Sequence, residues 1–191
     1  LDEDSKLDSS ALTSMDILVG APVAPWRLLL KSGDELLDVS SSTHQLGALK
    51  YRTEDKTVQE DARQFNFSGE QKASAEIVTS FAEDTITYLE ANGVISFEIK
   101  LNEPLTDDVN LAMTCSGECG GAIALSKVVD QSIKNKWQSV SVDLRCFANQ
   151  GVDFSSLTSP FSLHASSKTS VSVANIQFVP NEADSAGLKC Q

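Results

Sequence analysis

Positive charge is scarce in this chain. Its 191 residues carry 15 Lys and Arg against 27 Asp and Glu, a net charge of -12 at neutral pH. A phosphate backbone is bound by clustered Lys and Arg, so the charge balance argues against nucleic acid and against an anionic membrane surface as partners. Acidity of this kind serves solubility. Long apolar runs are missing as well: nothing approaches the roughly 18 apolar residues of a membrane span. Leu1-Asp2-Glu3-Asp4 lacks the basic start and apolar stretch of a signal peptide. With no initial Met, the chain is expected to be a processed form or a fragment of something longer. His44 and His164 are the two histidines and stand far apart, so neither completes a metal site. Rings suited to stacking are few, with two Trp and two Tyr. No G-x-S-x-G elbow supports Ser-His-Asp chemistry. The acidic pairs Glu54-Asp55, Glu60-Asp61, Glu83-Asp84 and Asp107-Asp108 join adjacent residues. On a strand such neighbours face opposite ways, so none is a ready acid/base dyad, and solvated acidic loops are expected instead.

What is present is alternation. Val140, Val142 and Leu144 alternate with Ser139, Ser141 and Asp143. Ile95, Phe97, Ile99 and Leu101 alternate with Ser96, Glu98 and Lys100. Period two is the mark of strands half-buried in a sandwich. Further strands are expected at Met15 to Val19, Trp26 to Lys31, Leu36 to Val39, Leu46 to Tyr51, Ala62 to Phe67 and Ala73 to Thr79. Others follow at Val109 to Met113, around Ile123 and Leu125, from Phe161 to Ala165, and from Val171 to Phe178. In the last strand the apolar parity slips between Val173 and Ile176, which predicts a β-bulge. Phe81 to Glu90 is ambiguous. Short helical turns are expected within Val128 to Lys136 and near Phe154. Many short strands, turn signals and no long amphipathic helix mean an all-β fold, an antiparallel β-sandwich, and the uneven connections favour a jelly roll. Residues 1–12 read as a linker or disordered arm, 13–182 as the sandwich and 183–191 as a tail tied by Cys190.

Four cysteines stand at 115, 119, 146 and 190. An even count in a small β-domain suggests an oxidising compartment. C-x3-C spacing is not that of a zinc ribbon. A local disulfide from Cys115 to Cys119 is favoured, with Gly117 easing the turn. Cys146 to Cys190 would close a loop of about 45 residues and contribute about 4 kcal/mol on the chain-entropy estimate. Four cysteines still admit three pairings, and the sequence does not choose among them.

The order of motifs adds a resemblance. C-S-G-E-C-G-G at 115–121 precedes W-Q-S-V-S-V-D-L-R-C-F at 137–147. G-V-D-F-S-S-L-T-S-P-F-S-L at 151–163 and S-V-S-V-A-N-I-Q-F at 170–178 follow. Upstream lie A-P-W-R-L at 24–28 and D-K-T-V-Q-E-D-A-R-Q-F-N-F-S-G at 55–69. This collinear set, covering most of residues 20–180, resembles the C-terminal galactose-binding-like (ExoP-type) domain of bacterial family 3 glycoside hydrolases. The branch is that of the exo-β-glucanases and β-glucosidases. The resemblance implies a galactose-binding-like jelly roll in a secreted or periplasmic parent enzyme that cleaves β-glucosidic bonds with retention. It also implies that the nucleophile and acid/base carboxyls of that chemistry belong to preceding domains. This chain would then be a noncatalytic accessory domain that packs on those catalytic domains and shapes the approach of substrate. The alternative is an independent carbohydrate-binding module for β-glucan oligosaccharides. One departure concerns Phe67, where the family pattern has a tryptophan. An aromatic is kept, but the larger indole face and its N–H are lost.

The residues expected to make sugar or interdomain contacts are Trp26, Glu60, Asp61, Arg63 and Trp137. Glu60, Asp61 and Arg63 lie close together beside a strand, where interfacial charge would need pairing; a free surface loop is the alternative. Trp137 has the parity opposite to Val140 and Val142, which would point it outward or to the sandwich edge, but packing in the core or rim is the favoured reading for a Trp, and the same applies to Trp26. His164 has the parity opposite to Phe161 and Leu163 and is expected to face solvent. No cofactor is expected. A structural Ca²⁺ of the kind carried by such sandwiches would need six to eight oxygens; no D-x-D-x-D-G loop occurs, so it is assigned no ligands.

Overall fold

The computed structural model describes residues 12–39 and 44–183. The N-terminal half contributes β1 (Met15–Val19), β2 (Ala21–Pro22), β3 (Arg27–Ser32), β4 (Glu35–Val39), β5 (His44–Leu46), β6 (Leu49–Glu54), β7 (Ala62–Ser68) and β8 (Ala73–Val78). A short helix, α1 (Ile86–Glu90), leads into β9 (Val94–Leu101), β10 (Asn110–Cys115), β11 (Cys119–Ala124) and β12 (Trp137–Asp143). After α2 (Arg145–Ala148) come β13 (Leu157–Ala165) and β14 (Lys168–Val179).

The strands form two antiparallel sheets. The first runs β12-β9-β14-β7-β6-β5, with β1 paired to β14 and β2 paired to β1. The second runs β11-β10-β13-β8-β3-β4. Inward side chains of both sheets meet in one core, as the alternation requires. Ile95, Phe97, Ile99, Val140, Val142, Val171 and Val173 line one side and Leu28, Leu30, Ile77, Leu111, Phe161 and Leu163 the other; all are buried. Phe97 and Phe161 bridge the sheets edge to face, with ring centroids 5.3 Å apart. Burying each such ring contributes about 1.5–3 kcal/mol. At one end of the sandwich Tyr88 of α1 meets Phe178 edge-on at 5.9 Å.

The bulge lies where the parity slip places it. Ala174 faces Glu98 and Gln177 faces Ser96, so three steps along β14 match two along β9. The extra residue allows Val173 and Ile176 both to point inward, and Asn175 takes a left-handed φ of 52° within it. Beyond the bulge β14 leaves β7 and pairs with β1 instead.

Several elements differ from expectation. The segment Leu46 to Tyr51 is not one strand, because Gly47 turns the chain between β5 and β6. Its φ is +53°, and a Cβ there would come within 2.5 Å of the Ser32 hydroxyl. β13 begins at Leu157 rather than near Phe161, and Leu125 belongs to a 3-10 turn over Leu125–Lys127 rather than to a strand. No helix forms within residues 128–136. The ambiguous stretch contains α1, and the turn near Phe154 is a 3-10 turn, Phe154–Ser156. Cys115 and Cys119 are joined, with their Cα atoms 4.9 Å apart. Cys146 is disulfide-bonded. Cys190, the arm at residues 1–11 and the tail at 184–191 lie outside the described residues.

Candidate functional site

Antiparallel register aligns the outward residues of the first sheet into rows. Trp137 of β12 pairs with Lys100 of β9, Lys100 with Ser172 of β14, Ser172 with Gln64 of β7, and Gln64 with Arg52 of β6. Ser170 and Asn66 form the adjacent row. Gln64, Ser170 and Ser172 are buried although they face away from the core. Buried polar groups need partners, and here they supply one another. Gln64 donates to Glu54 at 3.2 Å and accepts from Asn66 at 3.1 Å. Ser170 donates to the Asn66 oxygen, and Asn102 donates to Ser172 at 3.0 Å. The middle of this face is a closed polar network.

Its edge is different. The Trp137 ring is partly exposed, and two ammonium groups lie over it: Lys100 Nζ at 5.5 Å and Lys56 Nζ at 5.6 Å from the ring centre. Both distances are within cation–π range. Each lysine is also tied to a carboxylate. Lys100 pairs with Glu54 at 3.1 Å, and Lys56 pairs with Glu98 at 3.3 Å. Lys56 belongs to the loop between β6 and β7, yet it reaches β9 and β12 across the face. Beside this cluster is a groove of about 440 Å³ lined by Asp16, Val19, Ser96, Glu98, Ser139 and Asn175. Asn175, lifted by the bulge, donates to Glu98 from the opposite side.

The loop that delivers Lys56 explains the acidic residues around it. Asp61 accepts the backbone N–H groups of Lys56, Thr57 and Val58 at 2.6, 2.9 and 3.1 Å. Burial pushes the Asp61 carboxyl up, but those three donors outweigh it and hold the group below its ordinary 3.8. Asp55 accepts the Glu60 N–H at 2.6 Å, and Glu60 turns the chain with φ 57°. Arg63 points into the end of the sandwich and is buried, with its guanidinium donating to the carbonyls of Glu60 and Ala62. Burial raises the pKa of the neighbouring Tyr51 hydroxyl above 10.0, with Arg63 pulling it back. Glu60, Asp61 and Arg63 therefore act on the loop and the core.

Trp26 is 4% exposed and belongs to the core, and so does Phe67 at 3%. Of the two tryptophans only Trp137 offers a ring to solvent. Sequence pattern does not single out Lys56, Glu54, Glu98 or Lys100. The outward parity of Glu98 and Lys100 is visible in β9, but which strand supplies their partners depends on register.

The outward face of the second sheet is also polar. Lys31 pairs with Glu76 at 3.1 Å, and Ser74 donates to Glu76 at 2.8 Å. Ser162 and His164 Nε2 share a hydrogen bond at 3.0 Å. His164 does point away from Phe161 and Leu163, but it is half-buried rather than free in solvent. Burial holds its pKa below 6.5, opposed by Glu76 and assisted by Lys72 and Lys31. The rest of this floor is small: Ala112 and Ala122 line it beside Asn110. Among the described residues, no cluster of three or more His, Cys, Asp or Glu could hold a metal ion.

A family model for galactose-binding-like domains, Exop_C, matches residues 24–178. Among solved structures, the exo-1,3/1,4-beta-glucanase (EXOP) of a Pseudoalteromonas species is similar over 88% of this chain, with a TM-score of 0.74 and 15% identity. The match spans only 21% of that enzyme. The extra C-terminal domain (X) of the same enzyme is similar at TM-score 0.72 and 15% identity, over 87% of this chain and 92% of that one. A family 30 carbohydrate-binding module aligns at TM-score 0.66 and 19% identity over 90% of both chains. A family 11 module from Clostridium thermocellum, in complex with a beta-1,3-1,4-mixed-linked tetrasaccharide, aligns at TM-score 0.54 and 11% identity over 89% and 97%. These likenesses establish a shared fold. No curated protein sequence matches the chain.

Proposed function

The chain belongs to the Exop_C family of galactose-binding-like domains, and from that we propose that it is a noncatalytic accessory domain of a β-glucan-degrading family 3 glycoside hydrolase. The parent is an exo-β-glucanase or β-glucosidase, secreted or periplasmic, whose catalytic domains carry the chemistry and pack against this one. The observation that carries this reading is the family match over residues 24–178, together with the likeness to the extra C-terminal domain of an exo-glucanase. The carboxylates of the first sheet's outward face agree with it. Retaining hydrolysis needs a nucleophile and an acid about 5 Å apart in an open cleft. Glu54 and Glu98 are instead each engaged by a lysine, and Asp61 is engaged by backbone donors. The Cys115–Cys119 bridge suits an oxidising compartment. Two assays test the proposal. Incubated with an aryl β-glucoside, the isolated chain should show no turnover above buffer. Deleting it from the parent should raise KM for polymeric glucan more than for the aryl glucoside. Turnover by the isolated chain would overturn the noncatalytic role.

One observation favours a second reading, direct binding of β-glucan by this chain. The outward face of the first sheet combines an accessible indole with a polar groove, which is the pairing of stacking platform and hydrogen-bonding groups that sugar recognition uses. Titration with cello- and laminari-oligosaccharides, read from tryptophan fluorescence, tests it. Since Trp26 is buried, a change would report on Trp137. Silence at millimolar sugar would leave the accessory role alone.

A further inference from the structure

The ammonium of Lys56 engages two groups at once. It pairs with Glu98 at 3.3 Å and covers the Trp137 ring at 5.6 Å. These are the two groups a pyranose would use at this edge of the groove: the indole for its apolar face and the carboxylate for its hydroxyls. Lys100 lies over the same ring, but it is a residue of β9 and pairs with Glu54 rather than with Glu98. Lys56 comes from a loop outside the sheet. Its backbone position is set by Asp61, which accepts the Lys56 N–H and not its side chain. The ammonium can therefore leave without unmaking the loop.

Building on the glucan-binding reading, we propose that Lys56 is the specificity-determining residue of the Trp137 site. A neutral oligosaccharide must displace its ammonium from both Trp137 and Glu98 before it can stack. Displacement frees the Glu98 carboxylate and removes one of the two ammonium groups over the ring, so affinity for neutral glucan is held down by Lys56 rather than supplied by it. With Asp16 and Glu98 lining the groove, the freed site also disfavours an anionic sugar.

Calorimetric titration of this chain with cellotetraose and with the β-1,3-1,4-mixed-linked tetrasaccharide tests the proposal, on wild type, Lys56→Ala and Lys56→Arg. Lys56→Ala should bind about five-fold more tightly than wild type, which is the size of one part-exposed ion pair plus one cation–π contact. Lys56→Arg, which keeps the charge, should stay near wild type. Acrylamide, a neutral quencher, should quench Trp137 more strongly in Lys56→Ala, and far-UV circular dichroism should stay unchanged. If wild type binds and Lys56→Ala binds equally or more weakly, Lys56 is not displaced and this proposal fails while the glucan-binding reading stands. If no form binds at millimolar sugar, both fail. Binding seen only in Lys56→Ala supports both.

Discussion

The outward faces of the two sheets are built from the same materials. Each buries serines where no second layer covers them, and each holds a lysine against a glutamate at 3.1 Å. On the second sheet the pair Lys31–Glu76 stands among Ser74, Ser162, Ala112 and Ala122, and each polar group is satisfied by a near neighbour. On the first, the pair Lys100–Glu54 adjoins an indole, a loop from outside the sheet crosses to it, and a bulge lifts Asn175 beside Glu98. Buried polarity alone therefore does not mark a site. A site needs a ring that solvent can reach and a partner that can move away from it.

The largest effect expected falls on both faces together. Phe97→Ala removes the ring that meets Phe161 across the core and should lower stability by about 3–5 kcal/mol, measured by equilibrium urea unfolding. Loss of one sheet's signals before the other's would break the picture of a single core beneath both faces. Trp137→Ala should separate them. If the chain binds β-glucan, affinity for cellotetraose should drop roughly ten-fold, while His164→Ala on the opposite face leaves it unchanged. An equal loss in both variants would erase the distinction. Asp61→Ala deprives three backbone donors of their acceptor and should cost about 1 kcal/mol in urea unfolding. It should also lift Lys56 from Trp137, seen as a change in fluorescence, with no change at His164.

Much of the sandwich is legible in the sequence. Clean alternation in β9 and β12 exposes their inward faces, because those strands are apolar on one side only. The slip from Val173 to Ile176 locates the bulge, since no regular strand puts both inward. β13 is harder. Ser159 and Ser162 are fully buried on a central strand of the second sheet, so polarity there does not signal exposure. The short β5 is hidden by a glycine turn that only the contact with Ser32 explains. Parity leaves Trp137 between an outward or edge position and the core, and the fold sets its ring, partly exposed, on the edge strand β12. The burial of Arg63 is not legible from its charge, because its guanidinium Nη1 is held by the carbonyls of Glu60 and Ala62, which only the folded loop brings to it. Lys56 is out of reach, since its partners are set by how the charged loop between β6 and β7 folds back over distant strands.

The smallest expected effect is a difference in pH response. His164 is held below 6.5 in the folded chain, so the unfolded chain takes up the proton first as pH falls. Stability from this group is present above about 6.5 and is lost as pH falls toward the folded value. His164→Asn should flatten that region of a stability–pH profile. Asp61 is held below 3.8, so the loop carrying Lys56 keeps its support through that range and loses it only in stronger acid. Identical profiles in wild type and His164→Asn between about pH 7 and 5 would contradict the assignment.

The most direct test of the proposed glucan contact is a heteronuclear NMR titration with the mixed-linked tetrasaccharide, following the Trp137 indole N–H and the His164 ring in one sample. The account predicts that the indole signal moves with added sugar while the imidazole signals stay in place. Movement at His164 with a stationary Trp137 would contradict it.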